Sequence, residues 1–154
     1  MEKIDFKKPF IIAGPCALES KGIAATTAAE IENITKKYGI QIIFKSSFDK
    51  ANRTKVDSYR GPGLDGLKIF DYVKSYHDIP CTTDIHEPFQ ADIVANYVDL
   101  IQIPAFLSRQ TDLLKSAAMT GLPVSFKRVS SCQLGMPFLL WRSSKRSEQR
   151  MLSL

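Results

Sequence analysis

The sequence predicts an α/β fold: the N-terminal half of a TIM (β/α)8 barrel, about four βα units and a fifth strand. Three observations carry this. Short apolar runs alternate with segments of helical spacing, the pattern of parallel strands joined by crossover helices. GxxxxGKS/T does not occur, and the GxGxxG string at residues 61–66 ends a long polar loop instead of following an apolar run directly, so no doubly wound nucleotide-binding fingerprint is present in its required context. The polar, unusual residues follow the strands, where a parallel barrel has its active-site mouth. A complete barrel takes about 250 residues, and this chain has 154, so a partial barrel is expected.

Residues 10–13, Phe-Ile-Ile-Ala, read as a buried strand ending at Gly14-Pro15. Ser20 can cap the helix that follows. Thr27, Ile31, Ile34 and Tyr38 recur at helical spacing, and Gly39 stands where a terminating glycine belongs. Residues 40–45 form a second strand, and a long polar loop runs to about Gly63. Leu64, Leu67, Phe70 and Val73 mark a second helix. A third strand is expected over 79–84, a short helix from about Pro88 to Ala95, and a fourth strand over 98–103. Ser108 can cap a helix carrying Leu113, Leu114, Ala117 and Ala118, closed by Gly121. Pro123 to Phe126 begin a fifth strand.

Composition is that of an ordinary globular domain, 44% hydrophobic and 24% charged. No run of about 18 apolar residues occurs, so no membrane span or membrane partner is expected. The net charge of +5 is concentrated at one end. Residues 128–154 hold five basic residues and one acidic, leaving the rest with 16 basic against 15 acidic groups. That tail lacks any nucleic-acid-binding signature, so no nucleic-acid partner is expected. Cys16, Cys81 and Cys132 form neither a CxxC nor an even framework, which points to a reducing, cytoplasmic setting.

The groups after the strands are chemically rich. Gly14-Pro15-Cys16 follows the first. Lys45, Ser47, Lys50, Asn52, Arg53 and Thr54 follow the second, and Asp84, His86 and Glu87 the third. Gln102, Ala105, Phe106 and Arg109 follow the fourth, and Lys127 the fifth. Such a set of cations suits phosphorylated or carboxylated substrates. Each has an ordinary counterpart: a strand-end lysine can snorkel, a buried cysteine is often a small hydrophobe, and adjacent His86 and Glu87 lack the helical spacing of zinc proteases, which favours a hydrogen-bonded structural histidine.

The strings IIAGPCALES, FKSSFDKANR, SYRGPGL, TTDIHEP and IQIPAFLSRQTDLL resemble the 3-deoxy-D-manno-octulosonate 8-phosphate (KDO8P) synthase family, from about Phe10 to Lys127. The related DAHP synthases share the GPC turn and carry a KPR-type motif where this chain has Lys50-Ala51-Asn52-Arg53, so they rank second. The resemblance implies a (β/α)8 barrel, usually a homotetramer. It implies condensation of phosphoenolpyruvate with arabinose 5-phosphate in lipopolysaccharide sugar synthesis. It would give Lys45, Ser47, Lys50, Gln102, Ala105 and Lys127 to phosphoenolpyruvate, and Asn52, Arg53, Thr54 and Asp84 to the sugar phosphate, with Lys45, Lys50, Asn52 and Asp84 as the catalytic set. Thr54 replaces the family's usual serine and keeps the hydroxyl. Phe106 and Arg109 would reach a neighbouring subunit's site. Cys16 matches the metal-dependent branch, which implies a divalent ion such as iron or zinc.

After Lys127 the resemblance stops. The family continues with Lys-Gly-Gln-Phe, whereas this chain reads Arg128-Val129-Ser130-Ser131. If one adenine is missing within the codons for Lys127 and Arg128, the next frame can be read KKGQFLSAWDAIFAVEKLKAVGAANVIV, which contains the family's KKGQF. The expectation is a partial barrel over 1–127 and an out-of-frame basic tail over 128–154. It follows that the later strands, with the remaining metal ligands, are absent, that strands one and five are open edges, and that the chain is inactive. A non-catalytic remnant that binds phosphorylated ligands or intact subunits is the alternative function.

Overall fold

A computed structural model describes residues 4–127 and the backbone of residues 139–143 and 149–153. The chain divides into two compact units, Met1–Thr83 and Asp84–Leu154.

In the first unit, strands β1 (Phe10–Ala13), β2 (Gln41–Lys45) and β3 (Cys81–Asp84, its last residue across the division) are in order and parallel. Phe10 stands beside Gln41 and Ala13 beside Phe44, while Phe44 and Lys45 stand beside Cys81 and Thr82. Helix α1 (Lys21–Tyr38) starts where expected: Ser20 Oγ accepts from the Ile23 N–H at 3.2 Å. It ends where Gly39 turns left-handed at φ 64° and donates its N–H to the Thr35 carbonyl.

The buried face of α1 differs from the expected one. Ala24, Ala28 and Ile31 are buried, while Ile34 and Tyr38 are 42% and 60% exposed. Alanines allow a backbone to approach its neighbours closely, and the bulkier residues are displaced to the rim. The second helix also differs at its start. Gly63–Leu67 forms a 3-10 turn, and α2 (Lys68–His77) follows, burying Phe70 and Val73. Phe70 meets Phe44 edge to face at 6.2 Å, and Ile43, Phe48 and Leu67 complete the core. Strand β1 is not fully buried as read. It lies at the end of the strand order and Ile11 is 47% exposed.

The two helices are tied by a hydrogen bond between side chains. Glu32 of α1 pairs with Lys36, and at 2.8 Å with Nδ1 of His77 on α2. The hydrogen bond from Lys36, then that from His77, holds the Glu32 carboxyl below its ordinary 4.5. A carboxyl depressed by folding adds stability that is full above its unfolded pKa and is lost as pH falls through the folded value. Thermal melts between about pH 5 and pH 3 are therefore expected to show a shallower fall for Glu32→Gln than for the parent; equal slopes would refute this.

In the second unit, β4 (Leu100–Ile103) and β5 (Val124–Phe126) are parallel, with Ile101 beside Val124 and Ile103 beside Phe126. Helix α3 (Gln90–Val94) is shorter than expected. Helix α4 (Thr111–Met119) buries Leu113 and Ala117, four residues apart. Ser108 does not cap α4. Gln110 precedes the helix, and the Ser108 hydroxyl bonds the Ala105 carbonyl, closing a 3-10 turn over Ala105–Leu107. Strand β5 is not the open edge expected. Strand β6 (Leu139–Ser143) pairs with it antiparallel, Val124 beside Trp141, and β7 (Gln149–Ser153) pairs antiparallel with β6. Among the described residues no helix is long and apolar enough to cross a membrane.

Candidate functional site

Within the first unit the site begins with a close approach. Gly14 has φ +153°, and a Cβ there would lie 2.1 Å from the Lys45 carbonyl oxygen. Only glycine lets the turn after β1 rest against the end of β2. Two bonds hold the contact: Ser46 Oγ donates to the Pro15 carbonyl, and the Leu18 N–H donates to the Ser47 carbonyl, each at 2.9 Å.

Beyond that support, Lys45 and Lys50 converge. Both ammonium groups donate to the hydroxyl oxygen of buried Ser47, at 2.9 and 2.8 Å. Two ammonium groups directed at one oxygen offer an anion seated beside them charge-assisted hydrogen bonds from both. The structure thus brings together three of the sequence-predicted residues.

Asn52, Arg53 and Thr54 lie farther along the same loop and are exposed. Arg53 Nε donates to the Tyr59 carbonyl at 3.1 Å. Sequence reasoning missed the pair that holds this loop. Arg60 donates from Nε and Nη2 to the two carboxylate oxygens of Asp49, at 2.8 and 2.7 Å. That bond, and the charge behind it, raises the Arg60 pKa. No local pattern links positions so far apart; the GPG after Arg60 is the only turn signal nearby.

In the second unit Asp84 is buried, and its Oδ2 lies 3.4 Å from His86 Nε2. Gln90 Oε1 accepts the backbone N–H groups of His86 and Glu87, at 2.7 and 3.2 Å, which pins the turn carrying the histidine. Buried Gln102 shares this region: its carbonyl accepts the Ile85 N–H at 3.1 Å. Ala105 is half-buried, Phe106 is 81% exposed, and Arg109 is exposed beside a 520 Å³ cavity that His86 and Glu87 also line. Lys127 is exposed, and its N–H bonds the Ile103 carbonyl at 2.9 Å.

Cys16 is exposed, and among the described residues no three His, Cys, Asp or Glu side chains group to hold a metal. A divalent ion needs several such donors, so the described residues do not by themselves fit the metal that Cys16 suggests.

Comparison with known proteins gives the family. Residues 5–136 match the model described as the DAHP synthetase I family. The chain is 52% identical over 123 residues to the 2-dehydro-3-deoxyphosphooctonate aldolase of Hahella chejuensis, covering 79% of this chain and 44% of that protein. It is 52% identical over 124 residues to the protein of that name in Pisum sativum, covering 80% and 43%. A namesake in Pseudomonas putida strain KT2440 is 50% identical over 123 residues, covering 79% and 44%. The chain spans less than half the length of these relatives. With a cation pair built after β2, parallel strands linked by helices, and a family match over most of its length, the chain belongs to the DAHP synthetase I family and has its α/β fold, as an N-terminal part of a (β/α)8 barrel.

Proposed function

We propose that the chain carries a substrate-binding part of a 3-deoxy-D-manno-octulosonate 8-phosphate synthase, which condenses phosphoenolpyruvate with arabinose 5-phosphate and releases phosphate. The convergence of Lys45 and Lys50 on Ser47 carries this reading. In the reaction the enol C3 of phosphoenolpyruvate attacks the sugar aldehyde, water adds at C2, and phosphate leaves. Lys45, Ser47 and Lys50 neutralise the anionic enol phosphate, with Gln102, Ala105 and Lys127 as further contacts. Fixed ammonium groups beside a departing phosphate stabilise the charge that develops there. Asn52, Arg53, Thr54 and Asp84 receive the sugar phosphate. The exposure of Phe106 and Arg109 supports a role for them at a contact between subunits, in a homotetramer. The compartment we assign is the cytoplasm.

We also propose that the 154-residue polypeptide, assayed by itself, binds phosphoenolpyruvate without turning it over. Its described residues gather no metal-ligand set, and the next-frame string KKGQF supports reading residues 128–154 as out of frame. Calorimetry with each substrate, and a phosphate-release assay beside the Hahella chejuensis relative, test both proposals. Phosphoenolpyruvate and arabinose 5-phosphate are expected to bind, with phosphate released by the relative alone. Release by the chain would overturn the inactivity. Phosphoenolpyruvate binding without arabinose 5-phosphate binding would favour the DAHP-type condensation, and no binding of either would overturn the synthase reading. Sequencing the DNA across the codons for Phe126 to Val129 decides the frame: one further adenine supports the shift, and an unchanged run refutes it.

A further inference from the structure

Residues 46–62 leave the end of β2 and return to the 3-10 turn before α2, carrying Asn52, Arg53 and Thr54 exposed. A loop this long samples many conformations unless it is tied, and this one is tied at its neck. The Arg60 fork grips both oxygens of Asp49, whose side chain is 17% exposed. The Lys50 N–H donates to the Arg60 carbonyl at 2.6 Å, and the Gly63 N–H to the Phe48 carbonyl at 2.9 Å. Between them Gly61, at φ +117°, passes so close that a Cβ would stand 2.5 Å from the Phe48 carbonyl oxygen. An isolated surface ion pair orders little. A bidentate pair with one partner mostly buried, set in register with two main-chain bonds, differs in kind.

We propose that Asp49 and Arg60 are a positioning pair, a latch that closes residues 50–60 into one conformation and so sets where Asn52, Arg53 and Thr54 meet their ligand. The ligand, arabinose 5-phosphate, rests on the reading given under Proposed function; the latch itself rests on the loop geometry. The pair makes no contact with substrate in this account and acts through the loop.

The test uses the full 154-residue chain with Asp49→Asn, Arg60→Ala, the double variant and Arg60→Lys. Trypsin cleavage after Arg53 and Lys55 reads loop order, and calorimetry with arabinose 5-phosphate and with phosphoenolpyruvate reads the ligand side. Each single variant is expected to speed cleavage in the loop about tenfold and to weaken arabinose 5-phosphate by a similar factor. The double variant should do no more than either single one, because the two residues act as a unit. Phosphoenolpyruvate affinity should fall less than arabinose 5-phosphate affinity, because Lys45 lies outside the latch and only Lys50 borders its neck. Unchanged cleavage, or additive effects in the double variant, overturns the latch. Faster cleavage with unchanged arabinose 5-phosphate affinity overturns the positioning role. Should the parent chain bind no arabinose 5-phosphate, the ligand reading fails and cleavage alone decides the latch. Cleavage spread over the whole chain marks a variant that has not folded, and Arg60→Lys, which keeps the charge and loses the fork, then supplies the result.

Discussion

Lys45→Ala will weaken phosphoenolpyruvate binding about 10- to 100-fold, because it removes a charge-assisted hydrogen bond donor. The cause is specific to the cluster. Lys45 and Lys50 share the Ser47 hydroxyl, so an anion seated there meets two charge-assisted donors, and removing Lys45 leaves one. Lys45→Met, which keeps the stem and deletes the ammonium, should match the alanine variant. If methionine restores binding, packing of the stem and not charge is responsible. Calorimetry at two ionic strengths separates the cases, since the charge contribution alone weakens with salt.

Gly14→Ala will destabilise the first unit by roughly 3–5 kcal/mol, through backbone strain and a steric clash together. The methyl group would stand 2.1 Å from the Lys45 carbonyl oxygen, at a φ that side chains rarely adopt. Relief requires the turn after β1 to retreat from β2, which breaks the Ser46–Pro15 and Leu18–Ser47 bonds and shifts the backbone that carries Lys45. Urea unfolding measures the loss. A change under about 1 kcal/mol, the ordinary value for a point substitution, would show that the two segments do not pack as described. Gly39→Ala is the contrast: its φ is also positive, but nothing lies within 4 Å of the added carbon, so strain acts there without a clash.

Legibility followed locality. Ser20 and Gly39 marked the ends of α1 because capping depends on residues three or four positions away. The alternation of strands and helices, and the cluster of cations after β2, were readable for the same reason. The buried face of α1 was not, because apolar periodicity weights Ile34 and Tyr38 above Ala24 and Ala28 while close packing prefers the smaller side chains. Ser108 looked like a cap for α4 and instead closes the preceding turn. Strand β3, Cys-Thr-Thr-Asp, is buried along its whole length yet mostly polar, so apolarity locates it less well than its threonines do. The Asp49–Arg60 contact has no periodic signature at all; it depends on how a long loop folds back on itself.

The antiparallel pairing of β6 with β5 has a kinetic consequence. Along Val124–Phe126 that flank of the backbone already has a partner, so a strand arriving to extend the sheet in parallel finds its docking line occupied. Completion of the sheet from that side is an exchange and not an addition. Its rate at high concentrations of an incoming segment is bounded by the unpairing of β6, and more of the segment cannot hasten it.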